Sequence, residues 1–171
     1  LVKKSRDRTW ETGSEAGALV LPDFPVNDVA RFTLASPDGD TQLARQEGTW
    51  RVPERYGYPA NFDKIRNFLR DLVELKALKN VAAGKSQYGR LELLPPEEPD
   101  GGTQAEFFTA NDKKVAELRF GKQHMSSGRQ NPSPMMMGGG GDYPNGRYIL
   151  VPDSGRIVVV SETFSGLSVE P

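Results

Sequence analysis

The sequence predicts an α+β fold in which antiparallel β-meanders and hairpins, about six or seven strands, pack on one long amphipathic helix. Three observations carry this reading. One stretch has sustained helical periodicity, several short runs alternate apolar and polar residues, and the connections between those runs are tight turns. Turns that short suit antiparallel pairing and exclude βαβ crossovers.

Residues 1–18 (LVKKSRDRTWETGSEAGA) cluster charged and small residues without a period. They read as a flexible lead-in, with Lys3, Lys4, Arg6 and Arg8 as solvated charges. Residues 19–171 then read as a single α+β domain. Leu19-Val20-Leu21 offers a short edge strand before Pro22 and Pro25 interrupt it. Residues 29–35 alternate, with Ala30, Phe32 and Leu34 on one face and Arg31 and Thr33 on the other. Pro37-Asp38-Gly39 is a turn in which Pro fixes φ and Gly accepts positive φ. Residues 41–46 return, Glu47-Gly48 turns again, and residues 49–52 carry Trp50 as a core anchor. This is a three-strand meander, and Tyr56-Gly57-Tyr58-Pro59 links it to the helix.

Residues 61–79 (NFDKIRNFLRDLVELKALK) predict that helix, at about 1.5 Å per residue roughly 27 Å long. Phe62, Ile65, Phe68, Leu69, Leu72, Val73, Leu75 and Leu78 follow the spacing of one helical face. Lys64, Asn67, Arg70, Asp71 and Glu74 fall on the wet side. Asn61 is the N-cap, Asp63 suits the positive end of the dipole, and Pro59 disfavours an earlier start. The stripe is too short and too charged to span a bilayer.

Beyond the helix, residues 81–85 read as an exit loop, 86–94 as a short helical turn, and 95–102 (PPEEPDGG) as a polar loop. Residues 104–109 and 115–120 flank the hairpin signal Asn111-Asp112-Lys113. Residues 147–151 and 156–161 flank another, Pro152-Asp153-Ser154-Gly155. Between these hairpins, 126–146 reads as a flexible Met/Gly-rich loop holding Met135, Met136, Met137 and Gly138 to Gly141. The chain starts at Leu1 and ends abruptly at Pro171, and reads as a segment of something longer.

Composition narrows the chemistry. Lys and Arg total 22 against 23 acidic residues in 171. This balance gives no field for nucleic acid or an anionic surface. With no Cys there is no disulfide, thiol nucleophile or thiolate metal site, and a single His124 excludes multi-histidine sites. No Ser–His–Asp order or HExxH spacing surrounds His124. The three loop methionines, with His124 and Met125 upstream, suggest a soft Cu(I) site, but adjacent side chains diverge in an extended loop, and a plain flexible loop is the better reading, with a sticky apolar tip used for contacts second. Gly138 to Gly141 lack the strand, helix and Lys-Ser/Thr of a phosphate cradle. Neither a catalytic motif nor a cofactor site emerges. The candidate binding surface is aromatic and thioether: Tyr56, Tyr58 and Tyr143, with Met135, Met136 and Met137.

Several stretches together resemble a bacterial domain-of-unknown-function family, DUF4340. They are VNDVARFTL (26–34), GTWRV (48–52), ERYGYPANFDKIRNFLRDLVELK (54–76), RLELLPP (90–96), VAELRFGK (115–122), and GRYILV with RIVVVSETF. The resemblance spans nearly everything from about residue 19 onward and brings no catalytic motif. It implies an N-terminal membrane anchor outside this segment, an extracytoplasmic body, and neighbours from a gliding-type ABC transport system. The expected function is therefore a non-enzymatic accessory or binding domain making protein contacts in a membrane transport or envelope assembly. The alternatives are a carbohydrate- or peptide-binding module lined by Tyr56, Tyr58 or Tyr143, and then a carboxylate-based hydrolase, which needs two converging acids.

Overall fold

Turn chemistry assembles the sheet. The computed structural model describes residues 16–53, 56, 58–126 and 143–164. Most of the lead-in (1–15) and most of the Met/Gly stretch (127–142) lie outside the described residues. Strand β1 (Val29–Ser36) folds back onto β2 (Gly39–Gln46) with Ser36 opposite Gly39 and Phe32 opposite Leu43. Strand β3 (Thr49–Val52) follows a two-residue turn in which Glu47 and Gly48 both have positive φ. That primed geometry matches the twist of the flanking strands. Two further strands, β4 (Tyr58–Pro59) and β5 (Ala77–Val81), bracket helix α1 (Phe62–Glu74). The hairpins β6 (Thr103–Thr109) with β7 (Lys114–Ser126), and β8 (Tyr143–Val151) with β9 (Arg156–Val160), complete one antiparallel sheet. Its order is β4-β3-β2-β1-β6-β7-β8-β9-β5, nine strands among the described residues. The α+β class and antiparallel pairing hold, while the strand count exceeds the expected six or seven.

The additional strands have identifiable causes. β4 is two residues long and pairs with β3 at the sheet edge, too short to register as an alternating run. β5 replaces the last third of the expected helix. Leu75 leaves the helix in an extended conformation. The backbone of residues 75–77 then bonds to an incoming segment: Val20 N–H to Leu75 O at 2.9 Å, Ala77 N–H to Ala18 O at 2.9 Å, and Gly17 N–H to Ala77 O at 2.7 Å. On its other side β5 closes the free edge of β9, Ala77 opposite Val160 and Val81 opposite Ile157. Edge pairing satisfies more backbone groups here than another helical turn would. The helix is accordingly 13 residues long rather than 19, and Leu78, placed on its apolar face by periodicity, is exposed. The loop expected at 126–146 is also shorter at both ends, since Ser126 belongs to β7 and residues 143–146 belong to β8.

Helix α1 packs across one face of the sheet. Ile65, Leu69 and Leu72 meet Phe32, Trp50, Phe107, Phe120, Ile149 and Val158, all buried. The rings form a continuous cluster: Phe32 lies 5.2 Å from Trp50 and 5.7 Å from Phe107, and Phe164 lies 5.0 Å from Phe120. Residues 83–94 cross the opposite face through two 3₁₀ turns, Lys85–Gln87 and Gly89–Leu91. Leu93, fully buried, covers Leu150 and Ile157 there.

The helix start follows from one side chain. Asn61 Oδ1 accepts the Lys64 backbone N–H at 3.1 Å, as the N-cap reading requires. Asn61→Ala is expected to lower stability by about 1 kcal/mol, and Asn61→Asp by only a few tenths. Urea denaturation of the pair checks this, and equal losses would remove the capping role.

Candidate functional site

Helix α1 is narrower than the sheet face beneath it, so an open cleft lies along each of its sides. The first is bounded by Phe62, Arg66, Leu69, Arg70 and Val73 of α1, by Trp50 and Arg45 of the β2–β3 hairpin, and by Val26 and Val29; its volume is about 590 Å³. The second, about 410 Å³, lies between Ile65 and Phe68 of α1 and the sheet residues Phe32, Leu34 and Leu43, with Phe164 at one end. Both floors are apolar. Asn61, Lys64, Asn67 and Asp71 rim the second cleft, while Arg45, Arg66 and Arg70 are the charged residues lining the first. At the mouth of the first cleft Phe62 is 50% exposed, with the Arg66 guanidinium 5.7 Å from its ring centre.

Helical spacing explains the first cleft's wall, since positions 62, 66, 69, 70 and 73 share one side of α1. The sequence places Phe62, Leu69 and Val73 of this wall on the apolar helical face and Arg70 on the wet side, but it does not single out Arg66 or mark an open cleft there. Nor does it mark Arg45, because its place opposite Trp50 depends on the β2–β3 register.

The other sheet face carries polar pairs with structural roles. Arg31 stacks 4.0 Å from the Phe108 ring centre, and its Nη2 donates to Asp112 Oδ1 at 3.0 Å. Arg119 donates to Gln104 Oε1 at 2.7 Å and to the Leu93 carbonyl at 3.1 Å, tying the 83–94 crossing to the sheet. Lys114 Nζ sits 2.6 Å from Glu117 Oε2 and 3.4 Å from Glu106. The hydrogen bond to Glu117 raises the Lys114 ammonium above its usual 10.5, against a smaller opposing effect of burial. A raised lysine stabilises the fold below its unfolded value and loses that contribution as pH rises through the folded one. Lys114→Met is therefore expected to cost about 1 kcal/mol at neutral pH, Lys114 being exposed while Glu117 is mostly covered, and nothing at strongly alkaline pH. Denaturation midpoints at neutral pH and above pH 10.5 check the sign.

His124 lies within β7, partly exposed. Its Nδ1 donates to Asn145 Oδ1 at 2.7 Å, and its Nε2 accepts from Lys79 Nζ at 3.5 Å. Tyr148 packs beside the ring. Among the described residues no carboxylate joins this group, and no set of three His, Asp or Glu side chains is placed to hold a metal. Acids do gather in a third cleft, where Asp40 faces Glu97 and Glu98. All three are exposed and solvated, unlike a carboxyl held in an apolar site for general-acid work.

The aromatic candidates are dispersed. Tyr56 is fully exposed at positive φ beside the β4 edge. Tyr58 lies in β4 opposite Val52, and Tyr143 opens β8 opposite Ser126. Five strands separate β4 from β8 in the sheet. Met135, Met136 and Met137 lie outside the described residues. Among the described residues no helix is long and apolar enough to cross a membrane.

Residues 50–130 match the model of a family described as a domain of unknown function (DUF4340). This stretch runs from β3 through α1 to the end of β7, and so includes the helical wall of both clefts. No curated protein matches the chain. No solved structure matches it either.

Proposed function

We propose that this chain is a non-enzymatic, extracytoplasmic accessory domain that works by protein contact along α1, within an ABC-type transport or envelope assembly. The observation supporting contact is the pair of apolar clefts beside α1, with Phe62 held half-exposed at one mouth. Soluble domains normally bury such floors, and an aromatic with open surface at a cleft edge is the usual anchor of a binding interface. The setting beside a transporter comes from the family resemblance.

The test uses the full-length protein, tagged at its C-terminus and purified from membranes in mild detergent. ABC-type ATPase and permease subunits are expected to co-purify at near-stoichiometric levels. Phe62→Glu is expected to abolish their recovery while changing the melting temperature by only a few degrees, because half of the ring is already solvated. Recovery of the protein alone, or in the soluble fraction, would overturn the proposal.

A further inference from the structure

The first cleft has a chemical preference that the second lacks. Its floor is apolar, from Trp50, Leu69 and Val73, and its charged lining consists of Arg45, Arg66 and Arg70. Among the described residues no carboxylate lines it, although the chain as a whole carries 22 basic against 23 acidic residues. Arg66 and Arg70 stand one helical turn apart, about 6 Å along the axis, and Arg45 projects from the opposite wall. Arg66 bonds Asp63 at 3.1 Å and Arg70 approaches Asp71 at 3.5 Å, with both arginine side chains more than half exposed. Arg45 makes a long bond, 3.4 Å, to the Asn27 carbonyl. Exposed pairs of this kind exchange partners at little cost, and arginine is suited to bidentate recognition of carboxylates.

We infer that this cleft binds an acidic amphipathic peptide segment of a partner protein, with its apolar side against Trp50 and Phe62 and its carboxylates on the three arginines. The inference rests on the protein-contact reading above and names the chemistry of the partner. Guanidiniums on two facing walls of a concave cleft favour an inserted segment carrying several carboxylates over the flat surface of a bilayer. An amphipathic helix in a groove is also a recurrent mode of recognition, with anchors at i, i+3, i+4 and i+7.

Trp50 on the cleft floor makes the test direct. The other tryptophan, Trp10, is removed by Trp10→Phe, leaving Trp50 as the fluorescent reporter. The full chain is titrated with synthetic helical peptides that share one apolar face and carry Glu, Gln or Lys on the other. The Glu peptide is expected to shift Trp50 emission and to bind on the order of tenfold tighter than the Gln peptide, with the Lys peptide weakest. Added salt should shrink the difference. Combined Arg45→Gln, Arg66→Gln and Arg70→Gln should erase the preference, whereas Lys64→Gln, on the rim of the second cleft, should leave it intact.

Equal affinity for the three peptides would overturn the acidic preference while leaving an apolar contact site standing. Binding to phosphatidylglycerol vesicles, with the same arginine dependence and no peptide binding, would overturn it in favour of a membrane surface. Absence of any Trp50 response to peptide would also overturn it, and the co-purification above reads the broader function separately.

Discussion

Phe107→Ala is expected to lower the unfolding free energy by about 3–5 kcal/mol, whereas Phe108→Ala, one residue along the same strand, should cost only about 1 kcal/mol. Phe107 is fully buried at the centre of the ring cluster, 5.2 Å from Phe24, 5.7 Å from Phe32 and 6.2 Å from Phe68. Its removal forfeits transfer energy and leaves a cavity that three fixed rings and a helix cannot collapse into. Phe108 points to the other sheet face, partly exposed beneath Arg31, and mainly loses that cation–π contact. For a chain of this size the first loss corresponds to a melting-temperature drop of about 6–20 °C. Parallel urea and thermal denaturation of both variants decides the matter. Similar losses would mean that β6 does not present alternate faces as described.

The same pair of phenylalanines shows why so much of the sheet is readable. A strand's side chains alternate, so Ala105 and Phe107 against Gln104, Glu106 and Phe108 already assign the faces. The turns are equally local in origin. Gly39, Gly48 and Gly155 have positive φ, and each stands in a turn the sequence marks. Asn61 marks the helix start for the same reason, since a cap is a bond between neighbours in sequence. The helix end fails that test. Leu72, Leu75 and Leu78 continue the helical spacing, yet residues 75–77 are claimed by Ala18 and Val20 on one side, and β5 by β9 on the other. These partners lie more than 50 and more than 70 residues away in sequence, and no local period encodes them. A faint signal existed, because Leu75 and Ala77 are both apolar and separated by two, the spacing of a strand. The candidate cleft divides along the same line, its helical wall being a local pattern and its Arg45 wall a product of long-range register.

Gly146→Ala is expected to be among the most damaging single-methyl changes in the chain, costing about 3 kcal/mol or more. A Cβ at this position would stand 2.0 Å from the Val160 carbonyl oxygen and 3.1 Å from its carbon. Those atoms are backbone in a paired strand, with Arg147 opposite Val160, so no side-chain rotation relieves the clash. Either β8 or β9 must move, and β9 contributes four buried residues, Ile157 to Val160, to the two sides of the sheet. Gly155→Ala supplies the contrast. It has positive φ but nothing within 4 Å, so it should cost only the left-handed backbone term, about 1–2 kcal/mol. Stability alone would not establish that the strands shift. His124 lies opposite Gly146 and is the single histidine in the sequence, so its imidazole NMR signals report on this junction without ambiguity. Displacement of β8 is expected to move those signals and weaken the bonds from His124 to Asn145 and Lys79, while Gly155→Ala leaves them in place. Unchanged imidazole signals together with a loss no greater than that of Gly155→Ala would show that the β8–β9 junction is not closed against a methyl group.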